Sequence, residues 1–321
     1  MPKFKVVLLE DRYETHDHEK RVLREIDAEV IEAGHTETED EVIDICRDAD
    51  GITVNLAEIT ARVIQGLEKC RVIARYGVGY DNVDIAAASA KSIKVVNVPD
   101  YCDEDVSDHA MALFLGCVRK VSIRDRQVRA GQWDIGRSDP VYRVKGKTFG
   151  LVGYGRIPQT LHRKLKGFDL GRVLVADPFI SEALVAGNGA ELVDFDTLVK
   201  ESDFISIHAP LTDKTYGMFA EEQFSAMKDT AILINTARGP IVDPEALYQA
   251  LKNRWINSAG IDVHTQEPLP KDSKFFELDN VILTDHTGFY SEESQIELQT
   301  NCARNLATVL KGENCDAVVN P

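Results

Sequence analysis

Short apolar runs rich in β-branched residues alternate along this chain with longer stretches whose apolar positions recur every three or four residues. "KVVLL", "AEVIEAG", "GITVN", "RVIARYG" and "IKVVNVP" punctuate the first hundred residues, with helical spacing in "TEDEVIDICRDA" and "TARVIQGLEK" between them. A second set follows: "TFGLVG", "RVLVADP", "FISIHAP", "AILINTA", "SAGIDV" and "VILTDH". Strand–helix alternation of this kind predicts an α/β fold with two parallel-sheet domains. Between the two sets, residues 103–130 read as one nearly uninterrupted helix, started by Asp103 or Asp105 and followed by Gly131. The segment from Ser291 to Lys311 reads as a helix capped by Ser291, with Glu293 close to the reciprocal position.

Length and composition narrow this picture without changing it. A chain of 321 residues is long enough for two domains, each with its own core. The formal charge of −16 argues against nucleic acid or an anionic membrane as the main partner, because both reward basic surface. The six cysteines are scattered with no C-x-x-C pair, so neither a disulfide framework nor a metal site is expected. "MPKFKVVLLEDRYE" meets acidic residues too soon for a signal peptide, and "AMALFLGCV" is far short of a membrane span. The expectation is a soluble cytoplasmic protein.

Chemistry first surfaces at "GLVGYGRIPQT". Gly153 and Gly155 fit a G-x-G-x-x-G dinucleotide turn, but Pro158 stands where the third glycine belongs. The context is right: a strand precedes, a helix follows, and Asp177 ends the next strand about 20 residues beyond the turn. Asp177 can accept from the adenosine ribose hydroxyls and would repel a 2′-phosphate, which favours NAD(H) over NADP(H). Pro158 falls in the first turn of the helix, where an N–H has no intrahelical partner to lose. The Arg156 and Ile157 amides expected to face the pyrophosphate are retained. The ring is expected to pack where a small residue usually packs.

With these residues in view, the chain resembles the D-isomer-specific 2-hydroxyacid dehydrogenase family, and within it the branch that includes the C-terminal-binding-protein corepressors. "RYGVGYDNVD", "VGYGRI", "NTARGPIVD", "AGIDVHTQEP" and "TDHTGFYSEES" follow in the family's order and spacing. The resemblance implies a Rossmann-type NAD-binding domain over residues 100–290, inserted into a flavodoxin-like substrate domain built from residues 1–99 and 291–321. It also implies a homodimer and a reversible hydride transfer between a small 2-hydroxy acid and NAD. Carried over residue by residue, Arg238 matches the arginine that binds substrate carboxylate and carbonyl. His286 matches the general acid/base, and Glu267 the carboxylate that orients it and should raise its pKa. Pro210, Thr236, Ala237, Asp262 and Gly288 match positions around the cofactor, with Asp262 at the nicotinamide carboxamide. Gly77, Val78 and Gly79 match amides offered to the substrate carboxylate, and Tyr76 and Phe289 are candidates for the pocket wall.

One departure is Asp285, where the family commonly has proline; it either raises the His286 pKa further or points to solvent. His109 and His208, polar residues within apolar runs, are read as satisfied structural groups. Two functions follow. One is an NAD-dependent D-2-hydroxyacid dehydrogenase or 2-keto acid reductase. The other is an NAD(H)-responsive binding module of the corepressor type on the same fold.

Overall fold

In the computed structural model, which describes residues 2–9, 12–34, 36–133 and 140–320, the apolar runs form two parallel sheets. The chain divides into two compact units, Met1–Tyr101 with Ser291–Pro321, and Cys102–Tyr290.

In the first unit, strands β1 (Phe4–Leu9), β2 (Ala28–Glu32), β3 (Gly51–Val54), β4 (Val72–Arg75) and β5 (Lys94–Val96) pair in the order β2-β1-β3-β4-β5. This is the flavodoxin-like order, with its reversal between β1 and β3. Helices α1 (Asp17–Arg24), α2 (Glu39–Cys46), α3 (Ala61–Gly66) and α4 (Ile85–Ala90) connect them. Thr38 accepts from the Glu41 amide and the Glu41 carboxylate returns to the Thr38 amide, so α2 begins on a full capping box. Hydrophobic periodicity does not reveal α1, whose sequence DHEKRVLR offers two apolar residues, nor the short α4.

The second unit opens with α5 (Asp103–Arg119) and α6 (Val121–Arg129). The single long helix expected here is broken at Lys120, which adopts the left-handed conformation (φ 55°) while its amide closes back on Cys117 O and Gly116 O. The strands are β6 (Thr148–Val152), β7 (Arg172–Ala176), β8 (Glu191–Leu192), β9 (Phe204–Ile207), β10 (Ile232–Asn235), β11 (Ser258–Ile261) and β12 (Val281–Leu283). The helices are α7 (Arg156–Leu165), α8 (Glu182–Gly187), α9 (Phe195–Glu201), α10 (Glu221–Ala226) and α11 (Pro244–Lys252). All strands are parallel in the order β12-β11-β10-β9-β6-β7-β8, a doubly wound Rossmann sheet that reverses direction between β6 and β9. Successive side chains serve opposite faces, as a period of two requires. Ile205, Ile207 and Leu233 join one apolar cluster with Phe219, Phe224 and Leu251, whereas Phe204, Ile232 and Ile234 join another with Leu113, Phe114 and Leu161.

Helix α12 (Glu292–Lys311) returns to the first unit and packs against α1 and β4, burying Leu298, Cys302, Leu306 and Leu310 at four-residue intervals. Ser291 caps it as expected, but the reciprocal bond comes from Ser294 rather than Glu293, because Ser294 occupies the third helical position. Among the described residues, no helix is long and apolar enough to cross a membrane, and no cluster of His, Cys, Asp and Glu could hold a metal.

Candidate active site

The turn after β6 is built by steric necessity. Gly153 has φ 88°, and a Cβ there would lie 3.0 Å from the Ala209 amide nitrogen and the His208 carbonyl, so only glycine fits. Gly155 caps α7, and the space beside it is open for 4 Å around an added Cβ. Pro158 is the third residue of α7 and is buried, and the Gln159 amide still reaches Gly155 O at 3.2 Å, so the helix starts undistorted. The Arg156 and Ile157 amides therefore sit at a helix N-terminus, where an anion is favoured. The Arg156 side chain turns aside to Asp103 Oδ2 at 2.7 Å. Asp177 follows β7 and fixes the turn, with Oδ2 accepting from the Tyr154 amide (2.8 Å) and Oδ1 from the Phe179 amide (2.9 Å). Each oxygen keeps a further lone pair for a ribose hydroxyl. An open cradle, helix amides and a carboxylate together fit a dinucleotide.

Pro210, Thr236, Ala237 and Asp262 follow the carboxyl ends of β9, β10 and β11, the side of the sheet where such folds bind ligands. His208, next to Pro210, is a satisfied structural group. Its Nε2 lies 2.8 Å from Ser206 Oγ, and burial pushes its pKa down to about 3, keeping it neutral.

Beyond β10, the buried Asn235 side chain clamps the loop that carries Arg238, accepting from the Ala237 amide at 3.0 Å and donating to Arg238 O at 3.0 Å. The half-buried Arg238 guanidinium donates to Ala237 O at 2.8 Å. Gly239 then lies so close to the backbone of His264 and Thr265 that a Cβ would be 2.5 Å from the Thr265 nitrogen and nearer still to the His264 carbonyl. The Arg238 loop and the segment leading to Glu267 are thus packed backbone to backbone.

Glu267 and His286 meet although 19 positions apart, with His286 Nδ1 2.7 Å from Glu267 Oε2. The other carboxylate oxygen accepts from the His264 amide at 2.8 Å, so the orienting group is itself oriented. Burial alone would push Glu267 up, but the bonds from His286 and His264 more than offset it and hold its pKa below the ordinary value. The carboxylate can only accept, so His286 Nδ1 carries a hydrogen and Nε2 is the nitrogen left to exchange a proton. Phe289 stands edge-on to the imidazole, ring centroids 6.3 Å apart. Asp285 is exposed and accepts from Thr287 Oγ1 at 3.1 Å. His286 itself is in the left-handed region, φ 58°, a conformation uncommon outside glycine that frequently marks functional turns.

Residues 111–288 match the model of the D-isomer specific 2-hydroxyacid dehydrogenase NAD-binding domain. A glyoxylate reductase of Korarchaeum cryptofilum is 41% identical over 283 residues, covering 87% of this chain and 85% of that one. The chain belongs to the D-isomer specific 2-hydroxyacid dehydrogenase family. As a member it is an oxidoreductase acting on CH–OH donors with NAD(P). D-lactate dehydrogenase from Aquifex aeolicus, solved with NAD and lactic acid, is similar over 96% of both chains, with TM-score 0.86 and 27% identity. An acyclic imino acid reductase (Bsp5), solved with NADPH and D-Arg, has TM-score 0.88 and 28% identity, covering 98% of this chain and 99% of that one. These neighbours carry enzyme names, so membership is established for the dehydrogenase family as a whole rather than for its corepressor-like branch.

One expectation about this dehydrogenase changes with the structure. Tyr76 was expected at a pocket wall, but its side chain is 1% exposed and its hydroxyl donates to the buried Glu19 at 2.9 Å, so it serves the core of the first unit. The Gly77 and Val78 carbonyls that follow are tied by the Val98 amide at 3.0 Å and Asn97 Nδ2 at 2.7 Å, while Val78 and Gly79 are half-buried. Asp262 is engaged within the protein through both carboxylate oxygens, which accept from the Thr287 amide (Oδ1, 3.1 Å) and the Gly288 amide (Oδ2, 3.0 Å). Asn235, Gly239, His264 and His109 escaped the motif reading as parts of this site. Of these, Asn235 and Gly239 lie inside "NTARGPIVD" and were within reach.

Proposed function

We propose that the protein interconverts a small 2-keto acid and its D-2-hydroxy acid with NAD(H), His286 serving as general acid/base, Glu267 as its orienter and Arg238 as the cation for substrate carboxylate and carbonyl. The observation that carries this reading is the 2.7 Å contact between His286 Nδ1 and a Glu267 carboxylate that is itself held by the His264 amide. A nicotinamide cofactor bound at the turn after β6 supplies or accepts the hydride. During reduction, doubly protonated His286 gives its Nε2 proton to the carbonyl oxygen as the hydroxyl forms; during oxidation neutral Nε2 takes it back. Glu267 stabilises the imidazolium stage and holds the ring in one orientation. Arg238, planar and permanently charged, can pair with the carboxylate and draw electron density from the adjacent carbonyl. The binding-module alternative leaves this polarised His–Glu pair without a task. The name of the glyoxylate reductase relative points to glyoxylate as the first substrate to try.

The test is a panel of 2-keto acids, glyoxylate and hydroxypyruvate included, assayed with NADH and NADPH. We expect turnover with at least one acid and a higher kcat/KM with NADH. Oxidation of neither cofactor by any acid would overturn the reading. Cofactor choice is checked separately with Asp177→Asn, which removes the charge and keeps one acceptor. The NADH-to-NADPH ratio of kcat/KM should fall about tenfold, as loss of a charge-assisted bond implies. An unchanged ratio would remove Asp177 from that role.

A further inference from the structure

The turn that carries His286 hangs on one buried residue, Asp262. The His286 amide donates to Asp262 O at 2.8 Å, and the Thr287 and Gly288 amides donate to the two Asp262 carboxylate oxygens at 3.1 and 3.0 Å. Thr284 Oγ1 donates to Asp262 Oδ1 at 2.6 Å. From α5, His109 reaches the same point, with Nε2 3.0 Å from Thr284 Oγ1 and 3.2 Å from Asp262 Oδ1.

The proton inventory fixes what His109 does there. Burial would push Asp262 up, but bonds from His109 and Thr284 hold it down to about 2, so it is a carboxylate and can only accept. A hydroxyl has one hydrogen, and Thr284 gives that hydrogen to Asp262. Thr284 Oγ1 must therefore accept from His109, and Nε2 of His109 carries the hydrogen. His109 is thus a donor shared by the two groups that hold the ends of the 284–288 turn. The left-handed backbone at His286 persists only where its surroundings impose it.

We propose that His109 is a positioning residue for the reaction: its Nε2–H, presented from α5 to Thr284 and Asp262, sets the turn on which His286 is carried. The inference rests on the role proposed above for His286. His109 bonds to Thr284 and Asp262 rather than to His286, so its effect on turnover passes through the placement of the imidazole. Displacements on the ångström scale at a reacting group cost up to about a hundredfold in rate.

The experiment compares His109→Leu, which removes the donor at similar volume, with His109→Gln, whose amide can present a donor at similar reach. Turnover is expressed per NADH-binding site, so that any loss of folded protein cancels. Leu is expected to lower kcat about tenfold to a hundredfold with the NADH dissociation constant within about threefold, and Gln to recover turnover to within about threefold of wild type. With NADH deuterated at C4, the isotope effect on kcat should rise in His109→Leu, because a misplaced proton donor slows the chemical step. In a His286→Ala background, His109→Leu should change turnover by less than about twofold. Equal losses in Leu and Gln, an unchanged isotope effect, or the same loss with and without His286 would each overturn the proposal. Wild-type turnover in His286→Ala alone would instead bring down the reading it rests on, and this inference with it.

Discussion

Replacing His286 by alanine should lower turnover by about two to four decades while leaving NADH binding within about threefold of wild type. The size follows from what the imidazole supplies. Carbonyl reduction without a positioned proton donor must form an unprotonated alkoxide or wait for water to protonate it, and general acid–base catalysis is worth about 10²–10⁴ in rate. The selectivity follows from where His286 sits. Its ring contacts are Glu267 and Phe289, whereas the features that fit a dinucleotide are Gly153, Gly155, Asp177 and the first turn of α7. Steady-state kinetics on the best keto acid, paired with a fluorescence titration of NADH, checks both halves. Turnover within twofold of wild type would remove His286 from the mechanism, and a parallel collapse of NADH affinity would show that alanine had damaged the fold of the turn instead.

Much of this architecture was readable from pattern alone, for identifiable reasons. Parallel strands buried on both faces announce themselves as mostly apolar runs, as in β3 and β9, where every residue is buried and Thr53 and Ser206 alone are polar. Features that depend on a single backbone torsion were invisible: the break at Lys120 falls in a sequence with no proline and no glycine at the break. The capping of α12 failed in detail because a serine hydroxyl at the third helical position can replace the usual carboxylate. The strand, glycine turn and helix after β6 were legible because they are contiguous in sequence. The His286–Glu267 contact could be anticipated only through family resemblance, since no local periodicity links residues on successive crossovers.

The same reasoning explains why the supporting groups were missed. Residues that follow β9, β10 and β11 are dozens of positions apart in sequence, yet parallel pairing brings their carboxyl ends to one edge of the sheet. His109 belongs to a helix whose buried residues are apolar apart from Ser107, so a polar residue there read as an isolated satisfied group. It is satisfied, but by Thr284 and Asp262, which brings it into the scaffold of the turn that carries His286. A satisfied polar residue in a helix interior is therefore worth tracing to its partner before it is set aside.

Gly239→Ala should be the most damaging single-methyl change in the second unit. Its backbone is not in the left-handed region, so alanine carries no torsional penalty, and the whole effect is steric. The added carbon would meet Thr265 N at 2.5 Å, with the His264 carbonyl closer, and both are backbone atoms with no rotamer to yield. Either the Arg238–Ile241 turn or the His264–Thr265 backbone has to move. Movement of the first displaces Arg238, and movement of the second disturbs the His264 amide on Glu267 and the His264 Nε2 bond to Thr284 O at 2.9 Å. The first route ends at Arg238 and the second at the His286–Glu267 pair. We expect a stability loss of about 1–3 kcal/mol, as overpacking costs, and a fall in kcat/KM of about a hundredfold, as misplacement by an ångström costs. Thermal melts and initial rates measure the two effects. NADH affinity close to wild type would confine the damage to the Arg238–Glu267–His286 group, because the three atoms nearest the added carbon all belong to the His264–Thr265 backbone. A variant with wild-type melting temperature and rate would mean that the two backbones are not packed in this way.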